Sequence, residues 1–174
     1  KAFIELPKHL YQGCEYYVPM FDIDMRALLK KRHPFFLHSD GQWLLVQQGQ
    51  EVVGRCLVAE NRRYNAYHKT NFAFFDYLDI VDDQAVAAAL CDYLADWARE
   101  RGHDALVGPM LTGGASGTGI LIEGFEQLPA MTMMRYNYPY YRTLLEHNGF
   151  TKYVDLHSFS IPPEHFLLPE RISR

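Results

Sequence analysis

The segment between residues 86 and 101 constrains the fold of this chain more than any other. Its apolar side chains recur at the spacing of one helix face: Val86, Leu90, Tyr93, Leu94 and Trp97. Two aspartates precede the pattern, and Gly102 follows where glycine commonly ends a helix. Strand-like segments flank it at 71–80 and 105–107. A strand, a long amphipathic helix and a second strand predict a sheet covered by this helix.

A hairpin signal lies upstream of that unit. Strand-like segments at 43–47 and 51–59 flank the turn sequence Gln48-Gly49-Gln50. Gly54 within the second segment predicts a bulge, because an interior glycine often marks an extra residue in one strand. These segments predict an antiparallel pair.

The remaining elements complete the predicted fold. Short strands are expected at 3–6 and 151–161, which brings the sheet to about six strands. Helices are expected at 22–31 and 138–149, with a loop or short helix at 61–69. The predicted class is therefore α/β (α+β), with a mixed, largely antiparallel sheet flanked by helices.

Size and composition limit the organisation and the partners. A length of 174 residues and a hydrophobic share of 48% predict one domain over 1–161, with a linker or the start of a following domain at 162–174. The net charge of −4 argues against a nucleic-acid partner, and no apolar run reaches membrane-spanning length. The separated cysteines Cys14, Cys56 and Cys91 are typical of a reducing, cytoplasmic compartment.

Motifs for metal or phosphate binding are sparse. The eight histidines show no paired spacing, so no metal site is predicted. The long connection at 111–129 contains Gly114, Gly117 and Gly119 in a Gly-x-x-Gly-x-Gly pattern. Such a loop either cradles a phosphate with its amides or serves as a flexible lid or connection, and it holds no basic residue.

Three local features, the last of them made of two segments, resemble one known family. Residues 46–55 resemble its second and third strands. The sequence Tyr141-Arg142-Thr143-Leu144-Leu145-Glu146-His147-Asn148-Gly149-Phe150 resembles its closing helix and Gly-Phe turn. With the order of elements, they resemble the GNAT-type acyl-CoA N-acyltransferases. The segments 135–141 and 61–65 resemble a bacterial branch whose members look like two GNAT-like halves in tandem.

The resemblance implies transfer of an acyl group from acetyl-CoA or another acyl-CoA to an amine. It implies an acidic base near the family's fourth strand, which suggests Asp76 or Asp79; the alternative for these residues is an exposed charge near a strand end. Regular alternation places them on opposite faces, so only one would face the cleft. Leu145 stands where many members carry a tyrosine that protonates the thiolate. Tyr140 and Tyr141 lie one turn earlier, as substitute acids or as packing residues.

The coenzyme turn departs from the family pattern. Members use basic-x-x-Gly-x-Gly/Ala, and this chain has Ile80-Val81-Asp82-Asp83-Gln84-Ala85, with no glycine and two carboxylates that would repel phosphates. If acyl-CoA binds, the resemblance suggests cofactor contacts from Ile80, Gln84, Ala85 and Asn137. The departure also supports an alternative, a non-catalytic GNAT-like half that binds a ligand or packs against a partner.

The expected partners follow from these two interpretations. The ligand is expected to be a small-molecule amine or an apolar molecule, and Met131, Met133 and Met134 suit either a pliable apolar pocket or ordinary core filling. A second GNAT-like half or a second copy of the chain is expected to cover the sheet edge near the end of the domain.

Overall fold

The computed structural model describes residues 1–111, 118–129 and 134–159. These residues form a four-stranded sheet of order β1-β2-β3-β4. The strands are β1 (Asp40–Gln48), β2 (Glu51–Glu60), β3 (Phe72–Ile80) and β4 (Ala105–Val107). Pairs β1-β2 and β2-β3 are antiparallel and β3-β4 is parallel. The predicted mixed, largely antiparallel sheet flanked by helices is confirmed.

Five α-helices accompany the sheet in the described residues: α1 (Ala2–Leu10), α2 (Asp22–Leu29), α3 (Arg62–His68), α4 (Gln84–Glu100) and α5 (Tyr140–His147). A short 3-10 helix spans Pro34–Leu37. The predicted helices at 22–31 and 138–149 are confirmed as α2 and α5. The segment at 61–69 adopts the helical alternative, with Asn61 as the N-cap of α3.

The hairpin of β1 and β2 forms as predicted. Gly49 turns the chain with φ of +63°, a conformation that favours glycine. Val46 pairs with Gly54, whereas the next residue, Gln47, pairs with Val52. One extra residue of β2 is therefore accommodated beside Gly54, which confirms the bulge.

Helix α4 packs across one face of the sheet. Its N-terminus is capped by Asp83, whose Oδ1 accepts hydrogen bonds from the amides of Ala85 and Val86. Gly102, with φ of +71°, follows its C-terminus as predicted. Leu94 and Trp97 are 1% and 4% exposed and pack in one core cluster with β2, β3 and α5.

The opposite face carries two smaller core clusters. One contains Phe3 and Ile4 of α1 with Met25 and Leu28 of α2. The other joins Phe35 of the 3-10 helix to residues of β2 and the chain after β4: Leu57, Ala59 and Leu111. The sheet is thus covered on both sides, by α4 on one and by α1, α2 and the 3-10 helix on the other.

A bulge in β3 corrects the predicted alternation of that strand. Asp79 pairs with Arg55 and Asp76 pairs with Leu57, so three steps on β3 match two on β2. Tyr77 lies within this irregularity with φ of +52°. Because Arg55 and Leu57 share a face of β2, Asp76 and Asp79 share a face of β3. The prediction that they lie on opposite faces was wrong.

Two predicted strands are also corrected. Residues 3–6 belong to α1, because Phe3, Ile4 and Leu6 form a buried helical stripe. Residues 151–159 carry no strand and are exposed, and 160–161 lie outside the described residues. A strand requires a neighbour for its backbone hydrogen bonds, and the described residues offer none to 151–159. The described sheet therefore has four strands rather than six.

The packing of α4 yields a stability prediction. Leu94→Ala removes a fully buried side chain at the centre of the main cluster, and the cavity and lost burial are expected to cost about 2–5 kcal/mol. Asp92→Ala, at an exposed position of the same helix, is expected to have little effect. Urea unfolding followed by circular dichroism measures both, and equal losses would contradict the described packing.

Candidate functional site

The parallel pairing of β3 with β4 is short. It covers Phe72 to Phe74 on β3 and ends opposite Val107. Gly108 follows at a close approach, since a Cβ placed there would lie 2.4 Å from the carbonyl oxygen of Phe75. The amide of Met110 then donates to that carbonyl over 2.7 Å. Beyond this point β3 continues to Ile80 without a strand partner on that side among the described residues.

Two tyrosines of α5 hold the end of this unpaired edge. The hydroxyl of Tyr141 accepts a hydrogen bond from the amide of Ile80 over 3.0 Å. The hydroxyl of Tyr140 donates to the carbonyl oxygen of the same residue over 2.8 Å. The structure thus brings together two residues predicted as acids and one predicted to contact a cofactor.

A buried hydrogen-bond chain extends from that contact to Asp79. Tyr11, which sequence reasoning missed, donates to Asp79 Oδ1 over 3.0 Å, and its hydroxyl lies 2.9 Å from that of Tyr141. Because Tyr11 donates to the carboxylate, Tyr141 donates to Tyr11. Arg55 completes the chain through Nε and Nη2, each 2.7 Å from Asp79 Oδ2. Both oxygens of Asp79 are therefore engaged.

Burial sets the protonation of this chain of groups. Burial raises the pKa of Asp79, and the Arg55 guanidinium opposes that shift. Burial raises the pKa of Tyr11 and of Tyr141 well above the ordinary value, and the charge of Asp79 adds to both shifts. The two phenols consequently keep their protons at physiological pH.

Asp76 lies three residues earlier on the same face and is paired differently. It is 0% exposed, and its Oδ1 contacts the Arg135 guanidinium and accepts a hydrogen bond from the Tyr77 amide over 2.5 Å. Its Oδ2 is buried and has no hydrogen-bond partner among the described residues. Burial raises the pKa of Asp76, and the charge of Arg135 opposes the shift.

An aromatic strip, defined by Phe36, Trp43 and Tyr77, packs against the two smaller core clusters and leads to Arg135. The ring centroids of Phe36 and Trp43 are 6.3 Å apart, and those of Trp43 and Tyr77 are 5.8 Å apart. The Arg135 guanidinium stands 5.9 Å from the Tyr77 centroid. All three residues are partly exposed. The strip is therefore apolar, only partly covered by the core, and ends beside a buried carboxylate.

The predicted cofactor turn is satisfied internally. The Asp83 carboxylate accepts the amide hydrogen bonds of Ala85 and Val86, so it occupies the anion position at the N-terminus of α4. Gln84 and Ala85 are exposed there. Asn137 is buried and engaged elsewhere, accepting from the amide of Leu121 over 2.6 Å and donating to its carbonyl over 3.1 Å.

The glycine-rich connection and the methionine group fall largely outside the described residues. Gly114, Gly117, Met131 and Met133 lie outside the described residues, so their predicted roles stay predictions. Gly119 has φ of +81°, and its amide donates to the carbonyl oxygen of Pro109 over 2.8 Å. Met134, beside Arg135, is half-buried.

Within residues 1–111, 118–129 and 134–159, no group of three histidine, cysteine, aspartate or glutamate side chains is placed to hold a metal ion. None of the helices in the same ranges is long and apolar enough to cross a bilayer.

Comparisons with known proteins found two relatives at modest identity. The chain is 30% identical over 161 residues to a protein named bacterial ceramide synthase from Caulobacter vibrioides, covering 91% of this chain and 42% of that protein. It is 28% identical over 156 residues to a protein named YghO from Escherichia coli K12, and the match covers 90% of this chain and 40% of that protein. The chain thus spans about two-fifths of the length of these relatives. One of them carries an acyltransferase-type name.

No protein-family model matches the chain, and no solved structure matches it significantly.

The buried hydrogen-bond chain yields a second stability prediction. Tyr141→Phe leaves the buried Ile80 amide without its acceptor and removes the bond between Tyr141 and Tyr11, which keeps only Asp79 as a partner; the loss is expected to cost about 1–3 kcal/mol. Tyr153→Phe is the matched control, because Tyr153 is 68% exposed, and it is expected to change little. Chemical denaturation measures both variants, and a neutral Tyr141→Phe would show that these bonds do not stabilise the fold.

Proposed function

We propose that this chain carries the acceptor site of a GNAT-like, acyl-CoA-dependent N-acyltransferase that acylates an amine. The observation that carries the proposal is Asp76, a fully buried carboxylate with one unpaired oxygen at the end of the aromatic strip. A buried carboxylate that faces a ligand is suited to bind an ammonium group and to accept its proton. The name of the Caulobacter relative, a ceramide synthase, denotes formation of an amide-linked lipid and supports the same chemistry.

The architecture supports a GNAT-like interpretation. A hairpin, a bulged strand, a long helix, a short parallel strand and a closing helix follow one another in the order that this family uses. Among the described residues, the pairing of β3 with β4 ends at Phe74, before the carboxylates. The family admits the pantetheine arm of coenzyme A between its corresponding strands.

The four predicted catalytic residues divide into two roles under this proposal. Asp76 is the base, because both oxygens of Asp79 are already held by Arg55 and Tyr11. Tyr140 is the acid, because it is half-buried and would turn its hydroxyl from the Ile80 carbonyl to the thiolate. Tyr141 is 1% exposed, and its hydroxyl is engaged by both the Ile80 amide and Tyr11. Asp79 and Tyr141 then act as positioning residues.

The proposed reaction balances in protons. Asp76 first takes one proton from the bound ammonium and releases it to solvent. The neutral amine nitrogen then attacks the thioester carbon, a second N–H proton passes to Asp76, and the C–N bond forms. The C–S bond breaks as the tetrahedral intermediate collapses, and the leaving thiolate takes a proton from Tyr140. Asp76 returns its proton to Tyr140 through solvent, which restores both groups.

A second candidate follows from the capped N-terminus of α4. Asp83 fills the position that a pyrophosphate would take, which favours a chain that binds the amine without holding acyl-CoA. In that case the acyl-CoA would lie on a second GNAT-like half or on a second copy of the chain. The relatives are more than twice as long as the matched region, which leaves room for such a half in the whole protein. For the whole protein we also propose a cytoplasmic location.

The activity is tested on the full-length gene product. Acyl-CoA and a long-chain primary amine are supplied, and release of the free thiol is followed. Asp76→Asn is expected to lower kcat by about 10²- to 10⁴-fold, because it removes the base. Asp92→Asn, an exposed carboxylate on α4, is the matched control. Full activity of Asp76→Asn would remove Asp76 from the mechanism.

The two candidates are separated by a coenzyme titration. The chain is expected to bind acetyl-CoA weakly or not at all, and Asp82→Asn/Asp83→Asn is expected to improve any measurable binding by removing like charge. Asparagine also caps helices, so α4 is expected to stay intact. Calorimetry gives the dissociation constants. Micromolar or tighter binding by the unaltered chain would place the phosphates elsewhere, with the 113–119 loop as the first alternative.

A further inference from the structure

Arg135 and Asp76 form an ion pair whose two side chains differ in burial. The carboxylate is 0% exposed, whereas the side chain of Arg135 is 21% exposed. The guanidinium reaches Oδ1, while Oδ2 stays unpaired among the described residues. The guanidinium therefore extends from a partly exposed position to a buried carboxylate and pairs with one of its two oxygens.

The neighbouring pair on the same strand face provides an internal comparison. Asp79 has Oδ2 held by two nitrogens of Arg55 and Oδ1 held by Tyr11. The side chain of Arg55 is 7% exposed and its Nη1 also donates to the carbonyl oxygen of Phe3. This saturated arrangement is what a permanent buried ion pair requires. Asp76 lacks it, although it is the more deeply buried of the two.

We propose that the Arg135 guanidinium occupies the ammonium subsite of the acceptor and leaves it when the amine binds. The subsite proposal rests on the proposed function in one respect, which is that the bound amine is named as the acyl acceptor. A primary ammonium has three donors, so it can bond both oxygens of Asp76, including Oδ2, which the guanidinium leaves unpaired. Tyr77, 5.9 Å from the guanidinium, presents its ring to the same position.

The exchange makes the subsite selective for cations. When an ammonium replaces the guanidinium, the buried carboxylate remains paired throughout. A neutral alcohol of the same length would leave it unpaired in an apolar setting, which is strongly unfavourable. The ligand chain then lies along the aromatic strip of Phe36, Trp43 and Tyr77.

The side chain of Arg135 is suited to this movement. Its long stem has several rotatable bonds, and 21% of the side chain is already exposed to water. Tyr136, Asn137 and Tyr138, which follow it, are anchored separately: Tyr136 and Tyr138 pack against Tyr11, and Asn137 bonds Leu121. The exchange therefore requires no displacement of that anchored segment.

The test measures binding rather than catalysis. Decylamine and decanol, both below micellar concentration, are titrated calorimetrically into the 174-residue chain. Decylamine is expected to bind and decanol is not. Arg135→Gln removes the guanidinium that competes with the ligand for Asp76. Decylamine binding is expected to tighten by roughly tenfold, because the Asp76 carboxylate is then open to the ammonium in every molecule. Asp76→Asn is expected to abolish the preference for the amine.

Two further variants keep the test decisive. Arg135→Lys retains a cation and is expected to bind decylamine with an affinity between those of the unaltered chain and Arg135→Gln, so it provides the comparison if Arg135→Gln fails to fold. Arg142→Gln removes an exposed arginine of α5 that pairs with Glu146 and is expected to change nothing. Equal affinity for decylamine and decanol, or no gain in either Arg135 variant, would overturn the subsite.

Failure of this subsite is distinguishable from failure of the proposed function. If decylamine binding follows the expected order but no amine is acylated by the full-length protein, the subsite stands and the acyltransferase proposal falls. If an amine is acylated but the Arg135 variants leave its KM unchanged, the acyltransferase proposal stands and the subsite falls.

Discussion

The saturated ion pair of Asp79 is the interaction on which the rest of the site depends. Its partners are distant in sequence, with Tyr11 after α1, Arg55 on β2, and Tyr141 of α5 joined through Tyr11. A carboxylate removed from water is strongly destabilising until each oxygen is paired. The network is complete only when α1, β2, β3 and α5 are all in place, so it couples the docking of those elements and fixes the end of β3.

The bulge at Tyr77 gives that strand two carboxylates on one face. Without the extra residue, Asp76 and Asp79 would alternate, and one of them would point into the core beneath α4. With the bulge, the two carboxylates share a face and differ in how many of their oxygens are paired. One carboxylate is held permanently by Arg55 and Tyr11, while the other is held partly by a surface arginine. That difference is the basis for assigning one to structure and one to ligand binding.

The electrostatics of the chain favour a cationic ligand at β3 and oppose an anionic one at α4. Asp83 satisfies the helix amides that a phosphate would otherwise contact. At the other site, a partly satisfied carboxylate lies beside three partly exposed aromatic residues. Under the proposed function, these features separate the two substrates. Under that proposal, the amine would bind to this chain, and the coenzyme would bind at a weaker site or on a further half.

Local pattern alone determined much of this protein. Helix α4, with Asp83 before it and Gly102 after it, follows from side-chain spacing and backbone preference, as do the β1-β2 hairpin and its bulge. Asp76 and Asp79 were indicated by the family resemblance, which implies an acidic base near the fourth strand. The tertiary structure decided that they share a face, that Tyr11 and Arg135 join them, and that residues 3–6 are helical. Those outcomes depend on pairing between distant segments, because a one-residue irregularity on β3 and the desolvation of a buried charge are settled by neighbours that the local sequence does not contain.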